Sequence, residues 1–216
     1  MMKPPPPPGK MSAMMHSRPM AFMRGLTFPG GQQPVLRGQG VYLRYPRIAD
    51  YVHWARLRGE SREFLTKWEP VWAEDELTRG AFRRRIKRYQ KETRLDSAYV
   101  FFVFRANDDT LMGGCTLSNV RRGVTQCCAL GYWIGARFAR QGFMSDAVHA
   151  LIPFVFGTLG LHRIMFAVDD LQDVVTRLQA HGAELVGEVA RFENIFLLCY
   201  VRSPEGVMIG LAQEIS

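Results

Sequence analysis

The chain is short of cysteine, short of acid and without any long apolar run. Its four cysteines, Cys115, Cys127, Cys128 and Cys199, form no C-x-x-C pair and no His/Cys spacing that suits structural zinc. They read as small buried apolar residues of a reducing compartment, the cytoplasm. Cys127 and Cys128, adjacent on one strand, would point to opposite faces. No stretch approaches the roughly 18 apolar residues of a membrane span. The longest candidate, Ala147 to Leu161, contains His149 and Pro153 and reads as a buried helix, so no membrane partner is expected. The N-terminal stretch has no apolar h-region and no small-residue cleavage site, so it does not read as a signal peptide. Its five consecutive prolines, Pro4 to Pro8, favour an extended polyproline II tail. Residues 1–35 are expected to form a disordered Pro/Met-rich tail, with translation beginning either at Met1 or within it, at Met20 or Met23.

Acid is scarce unevenly. The whole chain carries 28 Lys and Arg against 20 Asp and Glu, a net charge of +8. Residues 1–163 hold 25 basic and 12 acidic side chains, whereas residues 164–216 hold 3 and 8. The balance therefore changes sign near residue 164. The densest cluster, RRRIKRYQK from Arg83 to Lys91, places Phe82, Ile86 and Tyr89 at helical spacing. It is either one solvated helix face or an electrostatic footprint for RNA or a ribosomal partner. No aromatic RNA-binding motif accompanies it, which argues against nucleic acid.

The rest is an ordinary globular composition, 47% apolar and 12% aromatic. Strands are expected at Val41–Tyr45, Ala98–Arg105, Leu111–Val120, Gln126–Ile134, Leu161–Val168, Glu184–Ala190, Ile195–Arg202 and Gly206–Gln213. Helices are expected at Ile48–Leu57, from an entry at Ser61, at Glu76–Glu92, at Phe143–Gly157, and at Leu171–His181 with Gly182 as its C-cap. Asn107-Asp108-Asp109 and Arg121-Arg122-Gly123 make the turns of an antiparallel meander. The fold class is α+β, a mixed, largely antiparallel sheet with helices on both faces.

A strand, a short glycine-containing loop and a helix follow one another in LGYWIGARFARQGFMSDAVHALIPFVF, Leu130 to Phe156. The free amides at such a helix start suit a pyrophosphate, although Ser145 and Asp146 are also ordinary helix-start residues. Together with GVYLRYPRIADYVHWARLRGESREFLTKWEP, ELTRGAFRRRIKRY and GGCTLSNVRRGVTQCCALGYWIG, this string resembles the RimJ/RimL protein N-terminal acetyltransferases of the GNAT superfamily. The resemblance covers about Gly38 to Ile164. It implies transfer of acetyl from acetyl-CoA to an amine: a protein N-terminal α-amine, of ribosomal-protein type, or a small amine. It places Tyr132, Trp133 and Ile134 beside the acetyl end, with the Ile134 amide polarising the thioester carbonyl. Ala139, Arg140, Gln141, Gly142, Phe143 and Met144 then form the pyrophosphate loop. Of the superfamily pattern Q/R-x-x-G-x-G/A, read here at Ala139, Gly142 and Met144, only the central glycine is kept. Glu69 is the best carboxylate near the acceptor, or else a solvated loop acid. Trp68 and Trp72 either line the acceptor groove or cover the sheet.

The family's ending, an Asn-rich helix start and a helix closing on a GF motif, is missing. Instead, AVDDLQDVVTRLQAHGAELVGE and LCYVRSPEGVMIGLAQE resemble the C-terminal half of a glyoxalase/bleomycin-resistance module, a βαβββ unit. That resemblance implies metal slots, but they read Arg163, with His162 beside it, and Gly210, with Glu214 four residues on. No metal is expected. The expected organisation is tail 1–35, acetyltransferase core 36–163 and a glyoxalase-like segment 164–216 that completes or extends the sheet, as monomer or dimer. Two other readings stand beside this one: a catalytically impaired fusion remnant that binds coenzyme A or a partner, and a glyoxalase-type half-module that dimerises through its strands.

Overall fold

The computed structural model describes residues 34–215 apart from Glu193. Almost the whole of the expected Pro/Met-rich tail lies outside the described residues. Its last residue does not: Val35 opens β1 (Val35–Arg37), a three-residue strand the sequence does not announce. β1 pairs antiparallel with β2 (Val41–Arg44). A 3-10 turn at Ile48–Asp50 leads into α1 (Tyr51–Glu60) and the single turn of α2 (Arg62–Leu65). Then come α3 (Arg79–Arg94), β3 (Tyr99–Arg105), β4 (Leu111–Arg121) and β5 (Cys127–Ile134). After α4 (Phe143–Pro153) the chain makes β6 (Arg163–Ala167), α5 (Leu171–Ala180), β7 (Glu184–Phe192), β8 (Phe196–Arg202) and β9 (Met208–Glu214).

All nine strands belong to one sheet, in the order β1-β2-β3-β4-β5-β6-β9-β8-β7. Only the two central pairings, β5 with β6 and β6 with β9, are parallel. β3 is buried along almost its whole length because helices cover both of its faces. On one face Phe102 meets Phe82 of α3, which packs at 4.7 Å on Trp54 of α1. On the other face Tyr99 and Phe101 set their edges against Phe154, 5.6 and 5.3 Å away. Side chains alternate across a strand, so this apolar run with no polar beats is what two covered faces require.

Several boundaries differ from the sequence reading, each for a local reason. α3 starts three residues later than Glu76, because Thr78 is its N-cap and accepts from the Ala81 amide at 3.2 Å. Asp75 and Glu76 fold back outside it to pair with Arg84 and Arg85. Ser61 stands at the entry of α2, as expected, but its side chain makes no cap bond; it is buried, and its hydroxyl accepts the Ala136 amide at 3.0 Å. α4 ends at Pro153, whose ring nitrogen carries no hydrogen, and a π-type turn at Phe154–Thr158 replaces the regular ladder.

α4 is anchored at its first turn. The Asp146 carboxylate accepts the Gln39 amide at 2.9 Å and the Gly40 amide at 2.7 Å, both from the turn between β1 and β2. The fit leaves no room at Gly38, where an added Cβ would lie 2.4 Å from Asp146 Oδ1. α5 is capped by Asp170, which accepts the Asp173 amide, and ends on Gly182 at φ +86°. Its apolar stripe faces the C-terminal strands. It packs on β7, β8 and β9, where Leu171, Val175, Cys199, Val201 and Leu211 form a core of their own.

Two predictions follow from these contacts. Removing the Asp146 carboxylate takes the acceptor from the exposed Gln39 amide and from the part-buried Gly40 amide, the latter costing about 1–3 kcal/mol at most when unsatisfied. Asp146→Ala is expected to lower the melting temperature clearly and Asp146→Asn, which keeps an acceptor, to lower it less; equal melting curves for Ala and wild type would refute the anchor. Burial pushes the Cys115 and Cys128 thiols up to about 12 and raises Cys199 as well, while Cys127 is half-exposed. An aromatic disulfide reagent at pH 8 should therefore titrate Cys127 fast and the other three only on unfolding.

Candidate functional site

β5 is paired on one edge along its length and on the other for only three residues. Against β4 the register runs from Ser118↔Ala129 to Gly113↔Ile134. Against β6 it stops at Ala129↔Met165, while β6 turns its remaining residues to β9. Beyond that point the two parallel strands part. The Gly135 amide donates to Met112 O at 2.8 Å. Bonding alternates along an antiparallel pair, so Gly131 and Trp133 also bond β4, and Tyr132 and Ile134 turn their backbone groups outward. Those groups face the gap that β6 has vacated. β5 is held tightly on its paired side: a Cβ at Gly113 would lie 2.3 Å from Trp133 O and 3.0 Å from the Ile134 Cα. Only glycine lets the two backbones come this close.

The chain leaves the gap through a 3-10 turn, Ala136–Phe138, pinned to α1 and α2 by Ser61 and by Leu57, which lies against Gly135. The next residues curl. Arg140 (φ +60°) and Gly142 (φ +81°) are both left-handed, and Gln141 donates to Arg137 O at 2.7 Å. Gly142 is the N-cap of α4 and has no side chain to close the first turn. Asp146, the acid of that turn, is committed to Gln39 and Gly40. The amides at the head of α4 thus remain available, with the positive end of the helix dipole behind them. The side chains of this loop have other tasks: Phe143 sets its edge against Phe138, and Met144 Sδ lies 3.6 Å from Cys115 Sγ in the core. An anion here would meet main chain.

On the sheet face opposite α4, Trp133 stands edge-on to Phe102. Arg58 of α1 is buried beside it, 5% exposed. Its guanidinium donates to both oxygens of Glu69, at 3.1 and 2.5 Å, and lies over the rings of Trp72, Trp133 and Trp54. Glu69 also accepts the Trp72 indole N–H at 2.8 Å. Trp72 is therefore packed on Arg58, whereas Trp68 is 71% exposed and covers no part of the sheet. Tyr132, 58% exposed, lies on the opposite face to Trp133. Arg58 is the member of this group that sequence reasoning passed over. Its signal was present: Trp54, Leu57, Arg58 and Ser61 share one helical face, so an arginine at that place is turned inward.

Elsewhere, a shallow groove of about 450 Å³ between α3 and β4, lined by Arg88, Glu92, Thr116 and Ser118 among others, lies toward the far end of β4 from the gap. At the slots where the tail's resemblance would put metal ligands, Arg163 lies over the Tyr200 ring at 5.5 Å, Met165 Sδ fills the place of a side chain at Gly210, and His162 is exposed. Among the described residues no group of three His, Cys, Asp or Glu side chains could hold a metal ion, and no helix is long and apolar enough to cross a membrane.

Known proteins resemble this chain in sequence and in fold. The model of the acetyltransferase (GNAT) domain family matches residues 41–178, which includes β6 and most of α5 and so runs past the change of charge. A probable N-acetyltransferase of Bacillus subtilis, YjcK, is 32% identical over 130 residues, 60% of this chain and 72% of that protein. The ribosomal protein uS5-alanine N-acetyltransferase of Escherichia coli is 34% identical over 119 residues, 55% of this chain and 58% of the enzyme, so the match spans little more than half of that relative. The structure of Mycobacterium smegmatis RimJ in complex with CoA-disulfide superposes with a TM-score of 0.60 at 24% identity, over 74% of this chain and 78% of that one, a likeness of fold. With the family model matched over well over half its length and the strand parting in place, the chain belongs to the GNAT acetyltransferase family.

Proposed function

We propose that the chain transfers the acetyl group of acetyl-CoA to the α-amine at the N-terminus of a protein, with a ribosomal protein as the acceptor class. The observation that carries this reading is the gap beside β5, where the Tyr132 and Ile134 backbone groups have no strand partner. A thioester carbonyl set there would receive the Ile134 N–H, a fixed donor that needs no reorganisation as charge develops on oxygen. Backbone amides from Ala139 to Met144, curled by Arg140 and Gly142, would hold the pyrophosphate, with Arg140 adding its charge. The acetyl donor supplies an activated acyl carbon. The residues around it bind and orient while the neutral amine attacks, the C–N bond forms, the C–S bond breaks, and the proton the nitrogen loses ends on the departing thiolate, directly or through water. An α-amine has an ordinary pKa of about 8, so a useful fraction is neutral near pH 8, unlike a lysine at about 10.4. Trp68 and Trp72 would form the acceptor wall. The names of the E. coli and M. smegmatis relatives support the acceptor class and the coenzyme, and a ribosomal-protein acceptor would place the chain in the cytoplasm.

The tail is part of the same proposal. We infer that residues 36–163 form the acetyltransferase core and that 164–216 is a βαβββ unit of glyoxalase type in place of the family's usual ending. Its strand-helix-three-strand order, and the core that α5 makes with β7, β8 and β9, support this. The same self-contained packing favours a second reading, a remnant that binds the donor without turnover, because α5 lies on its own strands rather than over the gap.

Turnover decides between them. The full chain is expected to acetylate a peptide with a free N-terminal amine and to leave the same peptide untouched once its N-terminus is blocked. Acetyl-CoA binding without turnover would establish the remnant, and absence of both would leave only the glyoxalase-type reading. Gly142 gives an independent check of the loop. A Cβ there meets no atom within 4 Å, so Gly142→Asp is not a steric change, although φ +81° strains it. Beside the pyrophosphate the added charge should weaken acetyl-CoA binding by about ten-fold or more, whereas Gly142→Asn, which tolerates the left-handed region, should stay near wild type. Equal affinities by calorimetry would remove the loop from the site.

A further inference from the structure

Arg58 sits where a charge costs the fold most. Its side chain is 6% exposed, three of the chain's four tryptophans surround it, and its Nε is buried without a hydrogen-bond partner. An apolar residue of similar volume would fill this place without that orphaned donor. What the arginine adds is connection. Its planar fork takes both oxygens of Glu69, at 3.1 and 2.5 Å, and a second carboxylate, Glu76, lies 3.9 Å away. Glu69 Oε2 then accepts the Trp72 indole N–H at 2.8 Å. One face of the same guanidinium packs on Trp72 at 4.4 Å, and Trp133 lies 5.1 Å away. Trp133 is the residue before Ile134 on β5. A single buried ion pair therefore joins three separate segments: α1, the segment carrying Glu69 and Trp72, and the end of β5 beside the gap.

We propose that Arg58 and Glu69 are a positioning pair that holds the acceptor wall at Trp72 in register with the acetyl end of β5, and that Glu69 acts through this pair and not as a proton acceptor. The proposal rests on the acetyl-transfer reading of the gap. Both Glu69 oxygens are already occupied by donors, one of them by two. A carboxylate engaged by fixed donors on both oxygens is held in one orientation, and its indole partner with it. Lysine could not substitute for Arg58, since a single ammonium neither forks across two oxygens nor stacks on indole.

Glu69→Gln, Trp72→Phe and Arg58→Lys in the full chain test this. Trp72→Phe removes the indole donor and one ring but keeps an aromatic face for Arg58. Each is assayed by acetyl-CoA calorimetry, by kinetics against a peptide acceptor over a range of pH, and by the indole N–H resonances of the four tryptophans. In Glu69→Gln, acetyl-CoA affinity should stay within about two-fold, the peptide KM should rise about ten-fold, kcat should change little and the pH profile should keep its shape. Trp72→Phe should move KM in the same direction by less, and Arg58→Lys should raise it as Glu69→Gln does. The Trp133 indole resonance should shift in Glu69→Gln although nothing in that residue changes. A fall in kcat of about a hundred-fold with loss of the acidic limb would make Glu69 the proton acceptor and overturn the proposal. An unchanged KM in both Glu69→Gln and Trp72→Phe, or an unmoved Trp133 resonance, would overturn it as well. If wild type itself shows no turnover, the acetyl-transfer reading fails, and the resonances alone decide whether the pair links the two tryptophans. Should Arg58→Lys not fold, the other two variants carry the test.

Discussion

The structure turns on the place where β5 loses its partner. Up to Ala129 the strand is bonded on both edges; beyond it the β4 ladder continues and the β6 ladder does not. A strand end left open inside a sheet ordinarily invites water or another strand. Here it is kept open by what surrounds it. β6 is drawn away into its parallel pairing with β9 as far as Ala167. β5 is held on the other side by a glycine that lets β4 approach its main chain, and by the buried tie between Ser61 and Ala136. The unpaired amides are a consequence of topology, and a topology with two adjacent parallel pairings in an otherwise antiparallel sheet is what produces them.

The open helix start next to this gap is preserved by a second arrangement. An aspartate in the first turn of a helix would ordinarily settle its dipole and compete with any anion for its amides. Asp146 is instead turned toward Gln39 and Gly40, so the same side chain that fixes α4 to the sheet edge is withdrawn from the loop side. Arg140 and Gly142 bend the chain back at the helix head, and the side chains of Phe143 and Met144 go to neighbouring residues and to the core. What faces the gap is main chain. The curl is thus set by two left-handed residues and leaves the amides at the helix start without side-chain partners.

The C-terminal segment joins the sheet without sharing its core. β6 bonds both β5 and β9, so there is no linker, yet the cluster around Leu171, Val175 and Val201 is built from the segment's own side chains. Main-chain hydrogen bonding is indifferent to side chains and accepts a foreign strand readily, whereas side-chain packing requires matched shapes. The sheet is therefore continuous where the side-chain cores are separate.

Much of this was legible in the residues themselves. Alternating and continuous apolar runs marked most of the strands, Phe82, Ile86 and Tyr89 marked the amphipathic α3, Gly182 marked the end of α5, and the blocks from Gly40 to Phe156 carried the acetyltransferase resemblance. These are local signals, because period and capping are properties of adjacent residues. Other features had no local signal. β1 is three residues long and exists only because β2 offers it an edge. Ser61 and Asp146 stand at helix starts, as their residue types suggest, but their side chains bond segments 75 and more than 100 residues away. Glu69 reads as an acceptor-side carboxylate or a solvated loop acid and Arg58 draws no reading at all, until the fold pairs them and three tryptophans close around Arg58. Sequence by itself determined which segments form elements and which family they resemble. Only the tertiary structure decided which backbone amides stay unpaired and which charges are buried, since both depend on what other segments leave uncovered.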